Sequence, residues 1–364
     1  MKFTILRSKF LEGLMTVQNV VSTKGTLQIL SNALIHVEDN QMSITTTDLD
    51  VSMRCVVPCE VEKAGSTTLP IRRLVNIVKE LNEGNMNVEV NNEDVASVQS
   101  GSSFFKIIGL STRDFPPVPA TEGKLSYRID QSAFKGMLHK TSYAASLDET
   151  RRVLNGVLLA FKDNKLTMVA TDGRRLALVD REIEFPPNAE SEMILPTKAV
   201  NELVRVLGSE GEAKIYAQKN QVVFEIGTTV MSSKLVDGVY PNYRQVIPGG
   251  CDERVTIERE ELLKAVRRVA VVATDKSNAI RMTFSANQLT ISINSPEVGE
   301  GREIIPIKYA GKEISIVFNP EYVMDPLKNM DDDEVYFELN DGHSPALLKC
   351  NVPFLYVLMP LRLS

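Results

Sequence analysis

The chain has 364 residues and a formal net charge of −6 at pH 7, so it is long enough for two or three domains with their own cores. Its 43% hydrophobic and 24% charged residues are typical of a globular protein, and no apolar run reaches the ~20 residues of a membrane span. Four cysteines, at 55, 59, 251 and 350, are too few and too scattered for a disulfide framework. We expect Cys55 and Cys59 to be buried, reduced thiols and the compartment to be the cytosol.

A similar segment occurs three times in the sequence. It reads NQMSITTTDLD from Asn40, NKLTMVATDGR from Asn164 and NQLTISINSPE from Asn287, at spacings of 124 and 123 residues. A fixed long period indicates one structural unit used in series. Chains built in this way usually work by shape, as a scaffold, a solenoid or a ring.

Two amphipathic helices are predicted in each repeat, one before the recurring segment and one after it. Apolar residues follow helical spacing in six stretches, at 8–20, 70–81, 131–142, 196–207, 260–271 and 320–330. A proline is expected to open the second helix of each repeat, at Pro70, Pro196 and Pro320. Pro326 is expected to interrupt the last helix.

Between the helices the sequence alternates apolar and polar residues in short runs, which are separated by Asp-Asn or Asn-Gln. This pattern predicts antiparallel strands joined by hairpin turns. Amphipathic helices and antiparallel sheets pack best with the helices on one face. The sequence therefore predicts an α+β fold of three similar domains with two helices each, at 1–120, 127–248 and 253–364.

Catalytic motifs are scarce. The three histidines are dispersed, and the chain has no phosphate-binding loop, nucleophile elbow or zinc-protease motif. One alternative is a hydrolase that uses Asp48 and Asp172 and holds a metal at the acidic run 331–334. We favour the simpler interpretation, in which each Thr-Asp closes a turn and the acidic run is a solvated turn. A scaffold that binds only proteins is a further alternative.

The charges are distributed unevenly between the helices and the rest of the chain. The six predicted helices carry twelve basic and seven acidic residues, although the whole chain is acidic. Repeated helices should lie on one side of an assembly, where their cations form a surface that attracts phosphates without reading bases. The predicted DNA-binding residues on these helices are Arg72, Arg73, Lys79, Lys135, Lys140, Lys198, Arg205, Lys264, Arg267 and Arg268. No cofactor and no metal are expected.

Over its whole length the chain resembles the β subunit of bacterial DNA polymerase III, the sliding-clamp family. The resemblance rests on MKFTILRSKFLEGL, GTLQILSNALI, ATDGRRLAL, SKLVDGVYPNYRQV and YVLMPLRL. It implies the DNA clamp fold, in which two chains join head to tail as a ring with helices lining the hole and sheets outside. It also implies a processivity factor without catalytic activity, which encircles duplex DNA. The implied partners are the polymerase III α subunit, the clamp loader, and other polymerases and repair proteins that carry a Gln-Leu-x-Leu-Phe-like peptide.

The resemblance also implies particular site residues. The peptide pocket would comprise Leu154, Thr171, Gly173, Arg174, Arg175, Leu176, Pro241, Val246, Val357, Leu358, Met359, Pro360, Leu361 and Arg362. Arg175 and Arg362 would supply its polar anchors. Further DNA contacts would come from Lys24, Arg151 and Arg152, and the dimer interface would set Phe105 and Ile107 against Val271 and Val272. The family commonly has histidine at position 174 and often a basic residue at position 245. Arg174 and Gln245 therefore predict a different peptide preference.

Overall fold

The computed structural model describes residues 1–21, 27–118, 125–186 and 188–362. In these residues the chain forms six α-helices. They are α1 (Arg7–Val17), α2 (Ile71–Glu80), α3 (Gln131–Thr141), α4 (Thr197–Val206), α5 (Arg259–Ala270) and α6 (Pro320–Lys328). Each predicted helix is present, and its ends lie within three residues of the predicted ones.

The described strands number twenty-five. The first repeat contains β1 (Lys2–Leu6), β2 (Asn32–Glu38), β3 (Gln41–Thr47), β4 (Val51–Pro58), β5 (Glu60–Lys63), β6 (Gly65–Pro70), β7 (Asn85–Val90), β8 (Val95–Ser100) and β9 (Ser103–Ile108). The second contains β10 (Leu125–Asp130), β11 (Gly156–Lys162), β12 (Lys165–Thr171), β13 (Arg175–Glu182), β14 (Ser191–Pro196), β15 (Glu212–Ala217), β16 (Gln221–Ile226) and β17 (Thr229–Lys234). The third contains β18 (Glu253–Glu258), β19 (Ile280–Ser285), β20 (Gln288–Ser295), β21 (Gly299–Pro306), β22 (Ile314–Phe318), β23 (Glu334–Leu339), β24 (Ala346–Lys349) and β25 (Phe354–Leu358).

Each repeat begins with a strand that the sequence pattern had not separated from the following helix. These strands are β1, β10 and β18, and each pairs with the strand that follows the second helix of its own repeat. The order within a repeat is therefore strand, helix, four or five strands, helix and three strands. The α+β prediction is confirmed, with an additional strand in each unit.

The prediction for the prolines was partly wrong. Pro70 is the last residue of β6 and Pro196 is the last residue of β14, so each lies just before its helix rather than within it. Only Pro320 occupies the first turn. Pro70 has φ −64° and ψ 102°, an extended conformation that ends a strand and leads into a helix without requiring an amide hydrogen.

Pro326 does not interrupt the last helix, because α6 continues through it to Lys328. A proline has no N–H, so the carbonyl four residues earlier, on Tyr322, loses its helical donor. The hydroxyl of Tyr356, a buried residue on β25, donates to this carbonyl at 2.9 Å. A side chain from the neighbouring sheet thus replaces the missing helical hydrogen bond.

A residue at the start of the first helix in each repeat binds the end of the second helix. Arg7 Nε donates to the carbonyl of Val78 at 2.8 Å, and Arg259 Nη1 donates to the carbonyl of Leu327 at 2.9 Å. In the second repeat the side chain of Gln131 accepts from the amide of Gly208 at 2.8 Å. The two helices of a repeat are therefore joined through polar groups at a helix end, where backbone groups lack intrahelical partners.

The contacts within the chain divide it into two compact units, residues 1–135 with 198–235 and residues 136–197 with 236–364. The first unit contains a sheet of order β5-β1-β7-β8-β9 and a sheet of order β10-β15-β16-β17-β4-β3-β2-β6. The second contains a sheet of order β14-β11-β12-β13-β25-β24-β23-β18 and a sheet of order β21-β20-β19-β22. Each eight-stranded sheet therefore combines strands of two repeats.

The two junction pairings involve equivalent strands. β4, which follows the recurring segment of the first repeat, pairs antiparallel with β17, the last strand of the second. β13, which follows the recurring segment of the second repeat, pairs antiparallel with β25, the last strand of the third. Consecutive repeats of the sequence are therefore joined by the same kind of strand pairing at both junctions.

The hairpin turns and the helix faces agree with the predictions. Asp39 and Asn40 have φ of 49° and 56°, as a two-residue type I′ turn requires. In α2 the apolar residues Ile71, Leu74, Val75 and Val78 are buried, whereas the arginines and the lysine lie exposed on the other side. Such a one-sided apolar stripe is what fixes a surface helix against its sheets.

The four cysteines are free thiols, and those at 55, 59 and 350 are buried. Burial raises the pKa of the Cys350 thiol to about 11. The prediction of reduced, buried thiols at positions 55 and 59 is confirmed. None of the described helices is long and apolar enough to cross a membrane.

The bond between Tyr356 and Tyr322 generates a test by mutation. We expect Tyr356→Phe to lower the free energy of unfolding by about 1 to 2 kcal/mol, because it leaves the carbonyl without a donor. In a Pro326→Ala background the restored amide can bind this carbonyl, so the cost of Tyr356→Phe should shrink. Urea denaturation of the four proteins measures this coupling. Tyr336→Phe, which removes an exposed hydroxyl bonded to Asn351, is the matched control. Equal costs in both backgrounds would contradict the interpretation.

Candidate functional site

The Thr-Asp pair of the second repeat closes a tight turn between β12 and β13. The Asp172 carboxylate accepts from the amides of Arg174 and Arg175 at 2.9 and 3.0 Å. The Thr171 hydroxyl donates to the Arg175 carbonyl at 2.6 Å. Gly173 has φ +86°, a conformation that side chains other than glycine rarely adopt. The turn-closing interpretation of this motif is confirmed.

The first repeat contains the same turn between β3 and β4. The Asp48 carboxylate accepts from the amides of Asp50 and Val51 at 3.1 and 2.8 Å. Leu49 has φ 79° at the position of the glycine, which costs about 1 to 2 kcal/mol for a residue with a side chain. Each aspartate is therefore committed to its own turn. Among the described residues no group of three metal-ligating side chains is present.

Arg175 lies at the centre of a buried polar network, and its side chain is only 10% exposed. Its Nε donates to Asp172 at 3.1 Å and its Nη1 donates to Asp325 on α6 at 2.5 Å. Its Nη2 donates to the carbonyl of Tyr143 at 2.6 Å. The guanidinium also stacks over the Tyr322 ring, 4.3 Å from its centroid. Since all three nitrogens have acceptors, Arg175 joins the turn to α6, and the geometry does not present it to a ligand as a polar anchor.

Beside this turn lies a cluster of apolar side chains drawn from the second and third repeats. Its buried members are Leu158, Ala160, Val169, Leu176, Ile194, Tyr240, Leu347 and Val357, and half-buried side chains such as Leu154, Tyr243 and Ile247 pack against it. Leu154, Leu176 and Val357 of the predicted pocket are therefore brought together. Leu358 is also buried.

Other predicted pocket residues are exposed or half-buried and lie on two segments of the chain, which we call the rim. Pro241 is exposed, and Val246 is 48% exposed, on the segment that follows β17. The chain after β25 contributes the other residues, Met359, Pro360, Leu361 and Arg362. In this tail the Met359 amide donates to the Arg174 carbonyl at 3.0 Å and the Leu361 amide donates to the Val317 carbonyl at 2.8 Å. We use the name cleft for the region that comprises this buried cluster and the partly exposed residues of these two segments.

The equivalent position at the junction of the first and second repeats has a different surface. The Lys234 amide donates to the Asp50 carbonyl at 2.8 Å, as the Met359 amide does to that of Arg174. The side chains of Lys234 and Asp50 then form an exposed ion pair at 3.0 Å. The place of Met359, an apolar rim residue of the cleft, is thus taken by one member of a charged pair.

The sequence analysis missed several members of this region. Tyr240 closes one side of the cluster, and burial raises the pKa of its hydroxyl. Leu158 and Leu347 reach the cluster from β11 and β24. Tyr240 could have been found, because Tyr240-Pro241 near the end of the second repeat corresponds to Phe115-Pro116 near the end of the first. The two leucines could not, because nothing in an alternating strand shows which buried residue lies under a cleft.

Two of the predicted DNA-binding cations on α4 are bound within the chain. Lys198 Nζ forms an ion pair with the Asp48 carboxylate. The guanidinium of Arg205 donates to the carbonyls of Met15 and Thr16 at 2.9 and 2.5 Å. These carbonyls lie in the last turn of α1, where the helix dipole favours a positive charge. Reversing the charge of either residue would therefore affect the packing as well as the surface.

Several other predicted cations also have partners. Arg72 donates to the Val21 carbonyl at 3.3 Å, and Lys135 donates to the Leu207 carbonyl at 2.9 Å. Ion pairs join Arg268 to Glu303 at 2.7 Å, Lys264 to Glu260 at 3.5 Å and Arg151 to Asp148 at 3.6 Å. Within the described ranges no side-chain hydrogen bond or ion pair is formed by Arg73, Lys79, Lys140, Arg152 or Arg267. Lys24 lies outside the described residues.

The predicted interface residues lie on or near the edges of two sheets. On β9, Phe105 is 38% exposed and Ile107 is only 5% exposed, because Ile107 faces the core of its own sheet. Phe104 and Ile108 are 56% and 78% exposed on the same strand and were not predicted. Val271 follows α5 and is 80% exposed, and the neighbouring Val272 is partly exposed.

Three family profiles match consecutive parts of the chain. They describe the N-terminal, central and C-terminal domains of the DNA polymerase III beta subunit, at residues 1–119, 128–242 and 244–362. The chain belongs to the family of bacterial sliding clamps. The beta sliding clamp of Chlamydia muridarum is 34% identical over 363 residues and that of Pseudomonas aeruginosa is 36% identical over 368 residues. The alignments cover 100% of this chain and 99% and 100% of those proteins.

Solved clamp structures have the same fold. The sliding clamp of Bartonella birtlesii, in a complex with griselimycin, matches with a TM-score of 0.95 at 35% identity. That of Bacillus subtilis matches with a TM-score of 0.95 at 28% identity. Both alignments cover 100% of each chain. The architecture is therefore the three-domain DNA clamp fold.

As a sliding clamp, the chain acts in DNA replication as a non-catalytic subunit of the polymerase III holoenzyme, a processivity factor. This excludes the hydrolase alternative, whose two aspartates are each committed to a turn. It also excludes a scaffold without a role on DNA.

Substitutions of Arg174 and Arg175, two adjacent arginines at the Thr-Asp turn of the second repeat, should differ sharply in their effect on stability. We expect Arg175→Met to lower the free energy of unfolding by about 3 to 5 kcal/mol, because Asp172 and Asp325 lose a buried partner. Arg174→Met, at an exposed neighbour, should change it by less than about 0.5 kcal/mol. Urea denaturation followed by circular dichroism provides the comparison. Similar effects of the two substitutions would show that the network contributes little.

Proposed function

We propose that the chain joins head to tail with a second copy and closes into a ring around duplex DNA, with the helices lining the hole. The observation that carries this proposal is the sequence of sheet junctions. β4 pairs with β17 and β13 pairs with β25, which leaves the equivalent strands β21 and β9 at the edges of their sheets. Pairing β21 of one copy with β9 of the other repeats the same junction between chains.

A ring of this kind has no free sheet edge at these positions. Exposed strand edges promote uncontrolled association, and closure removes them. A head-to-tail contact forms a closed ring only when the rotation between copies returns to the start. The number of copies, two, follows the family resemblance. Phe105, Val271 and Val272 would flank the junction, together with the exposed Phe104 and Ile108.

The DNA contacts are proposed to be phosphate contacts made by the helices. Arg73, Lys79, Lys140, Arg152 and Arg267 have no competing carboxylate among the described residues and are the strongest candidates. Cations that already have partners within the chain would add positive potential without leaving those partners. They are Lys135, Lys198, Arg205 and Arg268. Contacts of this type hold DNA without reading its sequence, and such contacts allow sliding.

The cleft beside the Thr-Asp turn of the second repeat is proposed to bind a short apolar peptide of the partners. A cluster of leucine, valine and tyrosine side chains forms its floor, and Met359 lies on its rim. A flexible methionine beside aliphatic residues can pack against several different ligands. The proposed partners are the polymerase III α subunit, the clamp loader and other polymerases and repair proteins.

The proposed domain limits are 1–120, 127–248 and 253–364, and the proposed compartment is the cytoplasm. The two compact units of the structure divide the chain differently, because each eight-stranded sheet joins strands of two repeats. The proposed limits follow the repeat in the sequence rather than the density of contacts.

The ring proposal predicts a topological dependence of DNA binding. Once placed on nicked circular DNA by a loader, the protein should stay bound and should leave when the circle is linearised. The double variant Arg73→Ala, Arg267→Ala should leave sooner and lower the salt dependence of binding by about one to two phosphate equivalents. Arg181→Ala, at an exposed arginine of β13, is the control. Equal retention on circular and linear DNA would refute encirclement.

The junction between copies can be tested on β9. Ile108→Glu should weaken dimerisation at least tenfold in sedimentation equilibrium, because a carboxylate placed at an apolar contact loses its hydration. Val352→Glu, at a partly exposed apolar residue between β24 and β25, should leave the dimer intact. Ile107→Glu is a poor probe, because this residue is buried in its own sheet. An unchanged dimer with Ile108→Glu would rule out pairing at this edge.

A further inference from the structure

A polar groove continues from the cleft onto the sheet of order β21-β20-β19-β22. Its volume is about 970 Å³, and its lining includes Arg174, Leu361 and Arg362 of the predicted peptide pocket. The other charged side chains that line it are Lys276, Arg281, Arg302, Asp275 and Glu300. The groove therefore has five cationic and two anionic side chains, in a chain that is acidic overall.

The cations of this groove differ from those on the helices. In the part of the chain that the structure describes, Arg174, Arg281, Arg302 and Arg362 form no ion pair with a carboxylate. Lys276 pairs with Glu297 at 3.2 Å. Four guanidinium groups without a carboxylate partner thus line one groove.

The strand register shows how the groove is arranged. Val317, Arg281, Ser292 and Arg302 lie directly opposite one another on four neighbouring strands, and residues opposed in this way share one face of a sheet. The Leu361 amide bonds to the Val317 carbonyl, so the tail of the cleft lies against the end of this row. One continuous surface leads from the cleft to the two arginines.

Arg281 and Arg302 lie on the face of the sheet that does not contact helix α5. Glu303, adjacent to Arg302, points to the opposite face, where it pairs with Arg268 of α5 at 2.7 Å. Side chains alternate between the two faces of a strand. Arg302 and Arg281 therefore lie on the outer side, away from the helix cations proposed to contact duplex DNA.

We propose that this groove binds an acidic segment of the partner polypeptide whose apolar residues occupy the cleft. The inference rests on the proposed peptide function of the cleft. Arg281 and Arg302 are two strands apart, a distance of roughly 10 Å, which three to four extended residues span. Arginine is suited to this role, because its planar fork binds carboxylates with two hydrogen bonds. The hydroxyls of Ser277 and Ser292, which also line the groove, offer further donors.

The test uses synthetic peptides with the Gln-Leu-x-Leu-Phe core, labelled with a fluorophore and bound to the full chain. One set carries four Asp and Glu residues before or after the core, and a matched set carries four Ser and Gly residues. At 50 mM salt the better acidic peptide should bind about fivefold to tenfold more tightly than its neutral counterpart. The difference should largely disappear at 500 mM salt, because screening weakens exposed ion pairs.

Substitutions of the groove arginines test where the preference for the acidic peptide arises. The double substitution Arg281→Ser, Arg302→Ser should abolish the advantage of the acidic peptide and leave the affinity for the neutral peptide unchanged. Arg181→Ser, at an exposed arginine outside the groove, should preserve the advantage. If acidic and neutral peptides bind equally to the native chain, or if the double variant retains the preference, the groove proposal is wrong.

Two other outcomes would separate the groove proposal from the proposed peptide function of the cleft and from binding of DNA phosphates. If the neutral peptide does not bind to the native chain, the assignment of the cleft itself fails and the groove proposal fails with it. Val246→Glu, on the rim of the cleft, should weaken binding of both peptide sets when that assignment is correct. If the double variant instead loses affinity for a short DNA duplex and keeps its peptide preference, the groove is a phosphate site, which overturns the proposal.

Discussion

The hydrogen-bonded pairing of a strand from one repeat with the last strand of the next is the constraint on which the whole structure depends. It occurs twice, between β4 and β17 and between β13 and β25, with the same order and the same antiparallel direction. Backbone hydrogen bonds make each junction part of a continuous sheet rather than a contact of side chains. A sheet that continues across a junction resists bending there, since each buried amide must keep its acceptor.

The polar side chains around these junctions support the pairing. In the first repeat Asp48 closes its turn and binds Lys198, and in the second Asp172 closes its turn and binds Arg175. Arg175 then reaches Asp325 on the last helix. Charged residues that look like a surface feature in the sequence thus have a second role in positioning helices. This explains why helix cations divide into a bound group and an unpaired group.

The sequence was sufficient for much of the fold and for only part of the site. Periodicity located all six helices, because each buries a single apolar face, and Asp-Asn located the hairpin turns through their need for positive φ. The strands β1, β10 and β18 were missed, because each runs into its helix without a turn signal. The path of α6 through Pro326 could not be foreseen, because the replacement donor, Tyr356, is thirty residues away in the sequence. The buried position of Arg175 and the row containing Arg281 and Arg302 depend on strand register, which the repeat alone does not specify.

The ion pair between Asp50 and Lys234 has a consequence for stoichiometry. It occupies, at the junction of the first and second repeats, the place that Met359 and Arg174 occupy at the junction of the second and third. An apolar peptide would have to break this pair and would find charge where the cleft offers a methionine. If the cleft binds peptides as proposed, each chain presents one docking place rather than two, despite its internal symmetry. In the proposed dimer, partners that use the cleft would share two such places, so their local concentrations and residence times would decide the order in which they act.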